Sequence, residues 1–331
     1  MPTDASLPFA APQDPAQKPV LEKIGLWLAP AEVFLIVLSL LTGALAATLA
    51  LAFDQRVAWA EFLISFAPAI GLIGLGAYIR VKKQMHRAGL AAIGAGIYIG
   101  FSGVIAILIY LRFPISTPMI DTNLMRMDQW LVGYDWVSFV GFIAQYPALG
   151  KILGWVYNTS LGQLFVVIFV LGFTGRTVQL HRVLVAGIIS LLLAVAFWWA
   201  WPSVGPSAYF TLPTSTEQAL GLVHGQAEGG RLLRMTQEGN AVIAPGMIMG
   251  TIAFPSYHTV MVFLAICFVR GTMIFWPMVL LNIGMLPAIL SHGGHHFSDL
   301  LGGVAVFVLA WLFAHWIVPN KAEDQQTKAN A

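Results

Sequence analysis

The chain has 331 residues, 58% of them hydrophobic and only 10% charged, with a formal net charge of +2 and a mean hydropathy of +0.78. So little charge excludes a soluble domain, which needs far more to cover its surface, and no nucleic-acid partner is expected. The balance is that of an integral membrane protein, and because strand-like alternation is absent the expected fold is all-α, a polytopic membrane helix bundle.

Residues 1–30, "MPTDASLPFAAPQDPAQKPVLEKIGLWLAP", scatter Pro and Ala, carry Asp4 and Asp14, and lack a basic start followed by an apolar run. They are read as a disordered cytoplasmic tail, not a signal peptide. Eight apolar runs follow, at 31–53, 57–79, 88–111, 154–173, 183–201, 255–269, 273–290 and 298–318. Most reach the roughly 20 residues that a hydrocarbon core of about 30 Å demands of a helix, and 255–269 falls short. The bundle is therefore expected to have about eight transmembrane helices, closed by a cytoplasmic tail at 319–331. Cys267 lies in a predicted span without a partner, so disulfides say nothing about compartment.

An even number of spans puts both termini on one side. That side collects Lys18, Lys23, Arg80, Lys82, Lys83, Arg87, Arg176, Arg182, Arg270, Lys321 and Lys328, which is 11 of the 17 basic residues. The other side holds Arg56, Arg112, Arg126, Lys151, Arg231 and Arg234, mostly in its two longest loops, where the positive-inside rule counts least. Both termini are expected to be cytoplasmic, and loops 112–153, 202–254 and 291–297 to face a periplasm or lumen. A bacterial inner membrane is the expected location.

Several polar residues along the spans have plain readings. Glu32 and Glu61, near span ends, are expected to snorkel or pair. His86, with its basic neighbours, reads as a cytoplasmic anchor. Asp121, Asp128 and Asp135 recur every seven residues around Trp130, Tyr134 and Trp136, the pattern of an interfacial helix with solvated acids. Trp198, Trp199 and Trp201 belong to an aromatic belt, and His224 is read as a surface residue.

Two short segments carry the chemistry. "FPSYH", 254–258, opens the sixth run; "SHGGHHFSDLLGG", 291–303, leads into the eighth. Both following helices point their N-termini, with free amides and the positive end of the dipole, at the same outer surface, which favours an anion. Pro255 suits a first helical turn, Ser256 offers a hydroxyl, and Gly293 and Gly294 leave room for backbone to approach a phosphate. His295 and Asp299 stand one helical turn apart. The aspartate can take the Nδ1 proton and leave Nε2 as a nucleophile, while His258 protonates the leaving oxygen. Together they predict attack on phosphorus through a phosphohistidine, with no metal and no cofactor.

These motifs resemble the second and third signatures of the type 2 phosphatidic acid phosphatase superfamily, P-S-x-H and H-x-x-x-D. The Gly-Gly-His-His context is similar to the branch containing inositol phosphorylceramide synthases and their bacterial relatives. The resemblance implies His295 as nucleophile, Asp299 as its orienting partner, His258 as general acid and Ser256 as phosphate ligand. It also implies a six-helix lipid phosphatase-like core, mapped to 81–318, with two additional helices at 31–80. "IDTNLMRMDQWLVGYDW", 120–136, and "RLLRMTQEGN", 231–240, are similar to outer-loop patterns of that branch, and the second suggests Arg234, then Arg231, as a phosphate clamp.

The wider superfamily's Ser-Arg pair ahead of the nucleophile is replaced by Ala288 and Ile289, and no Lys-x6-Arg-Pro signature exists. Around the core site, Tyr257, His296 and Asp128 are candidates for support, with His296 packing beside the site or holding Asp299, and His292 either supporting or facing water. Three histidines within five residues would by themselves suggest a metal, but no second His-rich segment accompanies them.

The expected activity is cleavage of a lipid phosphoester, leaning to transfer of the phospho-headgroup onto a lipid alcohol of the ceramide or diacylglycerol type. Hydrolysis of phosphatidate, a polyprenyl phosphate or a sphingoid phosphate is the alternative. A lipid-binding or transport protein is the non-enzymatic one. The membrane lipid is the expected partner, and oligomeric state is not legible.

Overall fold

A computed structural model describes residues 27–320; most of the N-terminal tail and the C-terminal tail, with Lys18, Lys23, Lys321 and Lys328, lie outside the described residues. In chain order the α-helices are α1 (Pro30–Ala52), α2 (Trp59–Lys82), α3 (His86–Tyr110), α4 (Asp121–Val132), α5 (Trp136–Ala144), α6 (Pro147–Asn158), α7 (Ser160–Phe173), α8 (Thr177–Ala200), α9 (Thr214–Leu220), α10 (Gln226–Glu238), α11 (Tyr257–Cys267), α12 (Phe275–His292) and α13 (Phe297–Ile317). Among the described residues there is no strand, and Val57 and Ile243 form an isolated bridge. The all-α membrane bundle is as expected.

Six helices among the described residues, α1, α2, α3, α8, α12 and α13, are long and apolar enough to cross a membrane. The expected spans at 154–173 and 255–269 are the two that differ. The first is divided at Thr159 between α6 and α7, where the Thr159 hydroxyl donates to the Val156 carbonyl at 2.6 Å and accepts from the Gln163 amide at 3.0 Å. A threonine side chain that bonds the preceding turn competes with the helix's own pattern. Backbone bonds from Thr159 to Trp155 and from Gln163 to Thr159 still run through the break. The second is α11, of 11 residues, about 16 Å long at 1.5 Å per residue and too short for a 30 Å core.

The expected outer loop 112–153 is itself helical. It contains α4 and α5 and the start of α6, and α5 and α6 turn on one another by 117°, with Pro147 opening α6 where its missing N–H costs nothing.

α3 is the central helix of the main core, packed by α1, α2, α7 and α8. The α2–α3 approach is close because both sides are small: a Cβ on Gly76 would stand 2.8 Å from the Gly89 carbonyl oxygen, the kind of backbone contact that drives helix association in lipid. A second core forms among α5, α6, α9 and α12 around Trp136, Tyr157 and Met285.

The two ends of the bundle differ. At one end Glu32 takes both Arg80 nitrogens at 2.8 Å and lies 3.3 Å from His181, so Glu32 pairs as expected. Arg176 and Arg182 donate to the carbonyls of Arg270 and Val318 at the same end. At the other end the α1–α2 connection pairs with Ile243, and residues 201–256 fold over the helix ends.

α11 begins inside the bundle. The Tyr257 hydroxyl donates to the Gly187 carbonyl at 3.1 Å, roughly 20 Å along α8 from Ala200 at 1.5 Å per residue. The short helix thus places its N-terminus in a recess roofed by the 201–256 segment.

Candidate active site

The two sequence motifs meet in that recess. His295 lies on the link between α12 and α13, and Asp299 sits in the first turn of α13, one turn further on. Asp299 Oδ2 accepts from His295 Nδ1 at 2.9 Å and from the His296 backbone N–H at 2.9 Å. Both side chains are almost wholly enclosed, His295 at 3% exposure and Asp299 at 0%. Tying Nδ1 to a carboxylate fixes the tautomer and leaves Nε2 on the opposite edge of the ring, without an intramolecular partner among the described residues.

His258, in the first turn of α11, faces His295 edge to face with ring centroids 5.9 Å apart. Tyr157 of α6 stacks on His258 at 4.4 Å, its hydroxyl 3.5 Å from Nδ1. The motifs are also joined through the backbone, since the Ser256 N–H donates to the Asp299 carbonyl at 3.0 Å.

Ser256 is the N-cap of α11, its hydroxyl accepting from the Thr259 N–H at 3.4 Å. Pro255 therefore precedes the cap and does not occupy the first helical turn as expected; the serine takes that place because its side chain can satisfy a free amide.

The glycines let protein atoms approach closely. A Cβ on Gly293 would stand 2.7 Å from the His295 ring and 3.0 Å from the Tyr157 ring. Gly294 has φ of +60°, a left-handed conformation that glycine adopts without strain, and a Cβ there would meet the Ser207 Oγ at 2.5 Å.

The neighbouring histidines have separate partners. His292 is buried, not facing water, and its Nε2 lies 2.8 Å from the Gly150 carbonyl, tying α12 to α6. His296 lies between two carboxylates, its Nε2 3.4 Å from Asp121 and its Nδ1 3.6 Å from Asp128. Burial disfavours a charged imidazole there, but the hydrogen bonds to Asp121 and Asp128 outweigh it and raise its pKa to about 10. Among the described residues no three His, Cys, Asp or Glu side chains are grouped to hold a metal ion.

The expected solvated acids are the clearest correction. Asp121 and Asp128 are each 1% exposed, because α4 turns both carboxylates onto the start of α13 and the backbone at 204–205. Asp128 accepts the backbone N–H groups of Phe297 and Ser298, both at 2.8 Å, and Asp121 those of Val204 and Gly205 at 3.0 and 2.7 Å. Tyr134 adds a second anchor, its hydroxyl donating to the carbonyls of His295 at 3.2 Å and Leu290 at 3.3 Å. Asp135 remains outside this group as the cap of α5.

His258, His295 and Gly293 line one cleft with Tyr157, and its roof adds Ser207, His224, Glu228 and Thr251. His224 is thus not the surface residue expected. Burial, then the nearby His295 and His292, lowers its pKa to about 4, so it stands neutral. Arg231 and Arg234 are exposed, and neither lines the cleft; Arg231 donates instead to the Met247 carbonyl at 3.1 Å. Tyr257 faces Gly187, away from the cleft.

A carboxylate-oriented imidazole, a second imidazole across from it and polar groups above them suit attack on an electrophile whose leaving group needs a proton. A protein-family model described as PAP2 superfamily matches residues 122–313. No curated protein and no solved structure matches the chain.

Proposed function

Because the chain belongs to the PAP2 superfamily, whose members cleave phosphoesters, we propose that it is a metal-independent lipid phosphotransferase that works through a phosphohistidine on His295. At the coarser level it is an integral membrane enzyme of lipid phosphatase type.

In the first half-reaction His295 Nε2 attacks the phosphorus of a lipid phosphoester, the bond from phosphorus to the leaving oxygen breaks, and that oxygen takes a proton from His258. Asp299 stabilises the positive charge that develops on the His295 ring. In the second half-reaction His258, now neutral, accepts the proton of an alcohol whose oxygen attacks the phosphorus, and the N–P bond breaks. Burial, with His295 and His224 nearby, holds the His258 imidazole well below its usual pKa, and the phosphate anion between the rings supplies the countercharge that opposes this and favours its protonated form. Electrostatic stabilisation of the phosphate falls to backbone amides and the α11 and α13 helix dipoles, since Arg231 and Arg234 stand outside the cleft.

The observation that carries the reading is the 2.9 Å Nδ1–Oδ2 contact of His295 and Asp299, with the His258 ring 5.9 Å across the same cleft. Transfer to a ceramide- or diacylglycerol-type alcohol is favoured over hydrolysis by the near-complete enclosure of His295, since a roofed site limits the access of water to a reactive intermediate. The weight of basic residues at the opposite end supports a periplasmic or lumenal site.

Purified protein incubated in chelator with a labelled lipid phosphate and each alcohol tests this. Label in a new lipid is expected. Label released only as inorganic phosphate makes the enzyme a phosphatase, and absence of any turnover makes it a binding or transport protein.

A further inference from the structure

Tyr257 follows Ser256 and precedes His258, and its side chain leaves the cleft to form one wall of a groove among α3, α7, α8 and α11. Leu164, Ile168, Leu184, Ile188 and Leu264 are among the apolar residues that line it. Three side-chain hydroxyls border it. Tyr257 donates to Gly187 at 3.1 Å and Ser102 to the Tyr98 carbonyl at 2.8 Å. The Tyr98 hydroxyl is buried and has no hydrogen-bond partner among the described residues, while its ring is fixed edge-on against Phe165 at 5.1 Å.

A buried donor without a partner is costly, and in a carbon-lined groove an acceptor carried in on an otherwise apolar molecule would satisfy it. Ser102 is exposed and marks the mouth on the flank of α3, a helix long and apolar enough to lie in hydrocarbon. The surrounding medium therefore supplies the occupant.

We propose that this groove is the tail subsite for an acyl lipid, with the Tyr98 hydroxyl donating to the carbonyl of its ester or amide. The assignment rests on the lipid phosphotransferase reading, which it sharpens: a carbonyl-bearing glycerolipid or sphingolipid fits, and a polyprenyl or dialkyl lipid of equal length lacks the acceptor. Tyr257, shared between the groove wall and the backbone of the catalytic motif, connects tail and headgroup ends.

Binding of phosphate-free lipids to the full-length protein in detergent tests it without turnover. Diacylglycerol, ceramide and a dialkylglycerol of matched chain length are compared by competition against one fluorescent lipid. The ester or the amide lipid should bind roughly two- to tenfold tighter than the ether, as one neutral hydrogen bond supplies, and the better of the two names the linkage. Tyr98→Phe should bring that ratio to one with the ether's affinity unchanged, and Ser102→Trp, on an exposed position, should weaken all three. Equal binding of all three lipids by the unaltered protein, or a preference that survives Tyr98→Phe, overturns the assignment. Carbonyl preference in a protein without turnover would refute the catalytic reading and keep the groove; turnover without that preference would do the reverse.

Discussion

The carboxylate of Asp128 lies 2.8 Å from the backbone nitrogen of Ser298, so a helix of the 112–153 segment caps the helix that carries Asp299. A carboxylate at a helix N-terminus satisfies free amides and meets the positive end of the dipole. Its distance in sequence from the motif makes α4 a brace for the active site.

Removing that brace should loosen the site. Asp128→Ala is expected to lower stability by about 1–2 kcal/mol from the lost cap, and further through the His296 charge left with one carboxylate fewer. Asp128→Asn keeps an acceptor and should cost less. Thermal unfolding in detergent measures both, and an unshifted midpoint for Asp128→Ala would show that the cap carries no load.

The same pocket sets a pH dependence. His296 has its pKa raised to about 10 in the folded protein against an ordinary 6.5. A raised folded value means that the stabilisation is complete below pH 6.5 and is lost as pH climbs towards 10. The stability advantage of the unaltered protein over His296→Gln should therefore shrink steadily across that window. An advantage that grew with pH would mean His296 is neutral between its two acids.

Asp299→Asn tests orientation of the proposed nucleophile. An amide in place of the carboxylate favours the wrong tautomer of His295 and withholds the charge that stabilises an imidazolium. By analogy with the Asp of a Ser-His-Asp triad, kcat should fall by about 10³–10⁴-fold while lipid binding changes little. A loss confined to KM would assign Asp299 to substrate binding.

Arg231→Ala and Arg234→Ala should each leave turnover within about twofold, since surface substitutions away from buried features are nearly neutral. Steady-state kinetics on the labelled lipid phosphate decide the point. A hundredfold loss in either would mean that α10 turns its arginines into the cleft during the reaction.

Hydropathy alone made the bundle legible, because six of the eight apolar runs form single long helices. It did not show that 154–173 carries a break at Thr159 or that 255–269 forms a short helix, because it does not register a threonine that competes for helix bonds or a helix that starts inside the bundle. The pairing of His295 with Asp299 was legible because it is local, a one-turn spacing. His224, Asp121 and Tyr157 were not, since each reaches the site through tertiary folding of a different segment. For Asp121 and Asp128 the seven-residue recurrence was visible, yet the same spacing suits a solvated helix face, and only packing against α13 distinguishes them. The Arg231 and Arg234 expectation followed the resemblance of 231–240 to a loop pattern of the synthase-like branch, whereas α10 presents Leu232 to the cleft and its arginines to the exterior.

The most direct test is the phosphoryl content of the enzyme itself, measured by rapid quench of the protein with labelled lipid phosphate and mapping of the modified peptide under alkaline conditions. An acid-labile phosphoryl group on His295, absent from His295→Ala, is the expected result. Label on another residue, or full turnover by His295→Ala, would contradict the account.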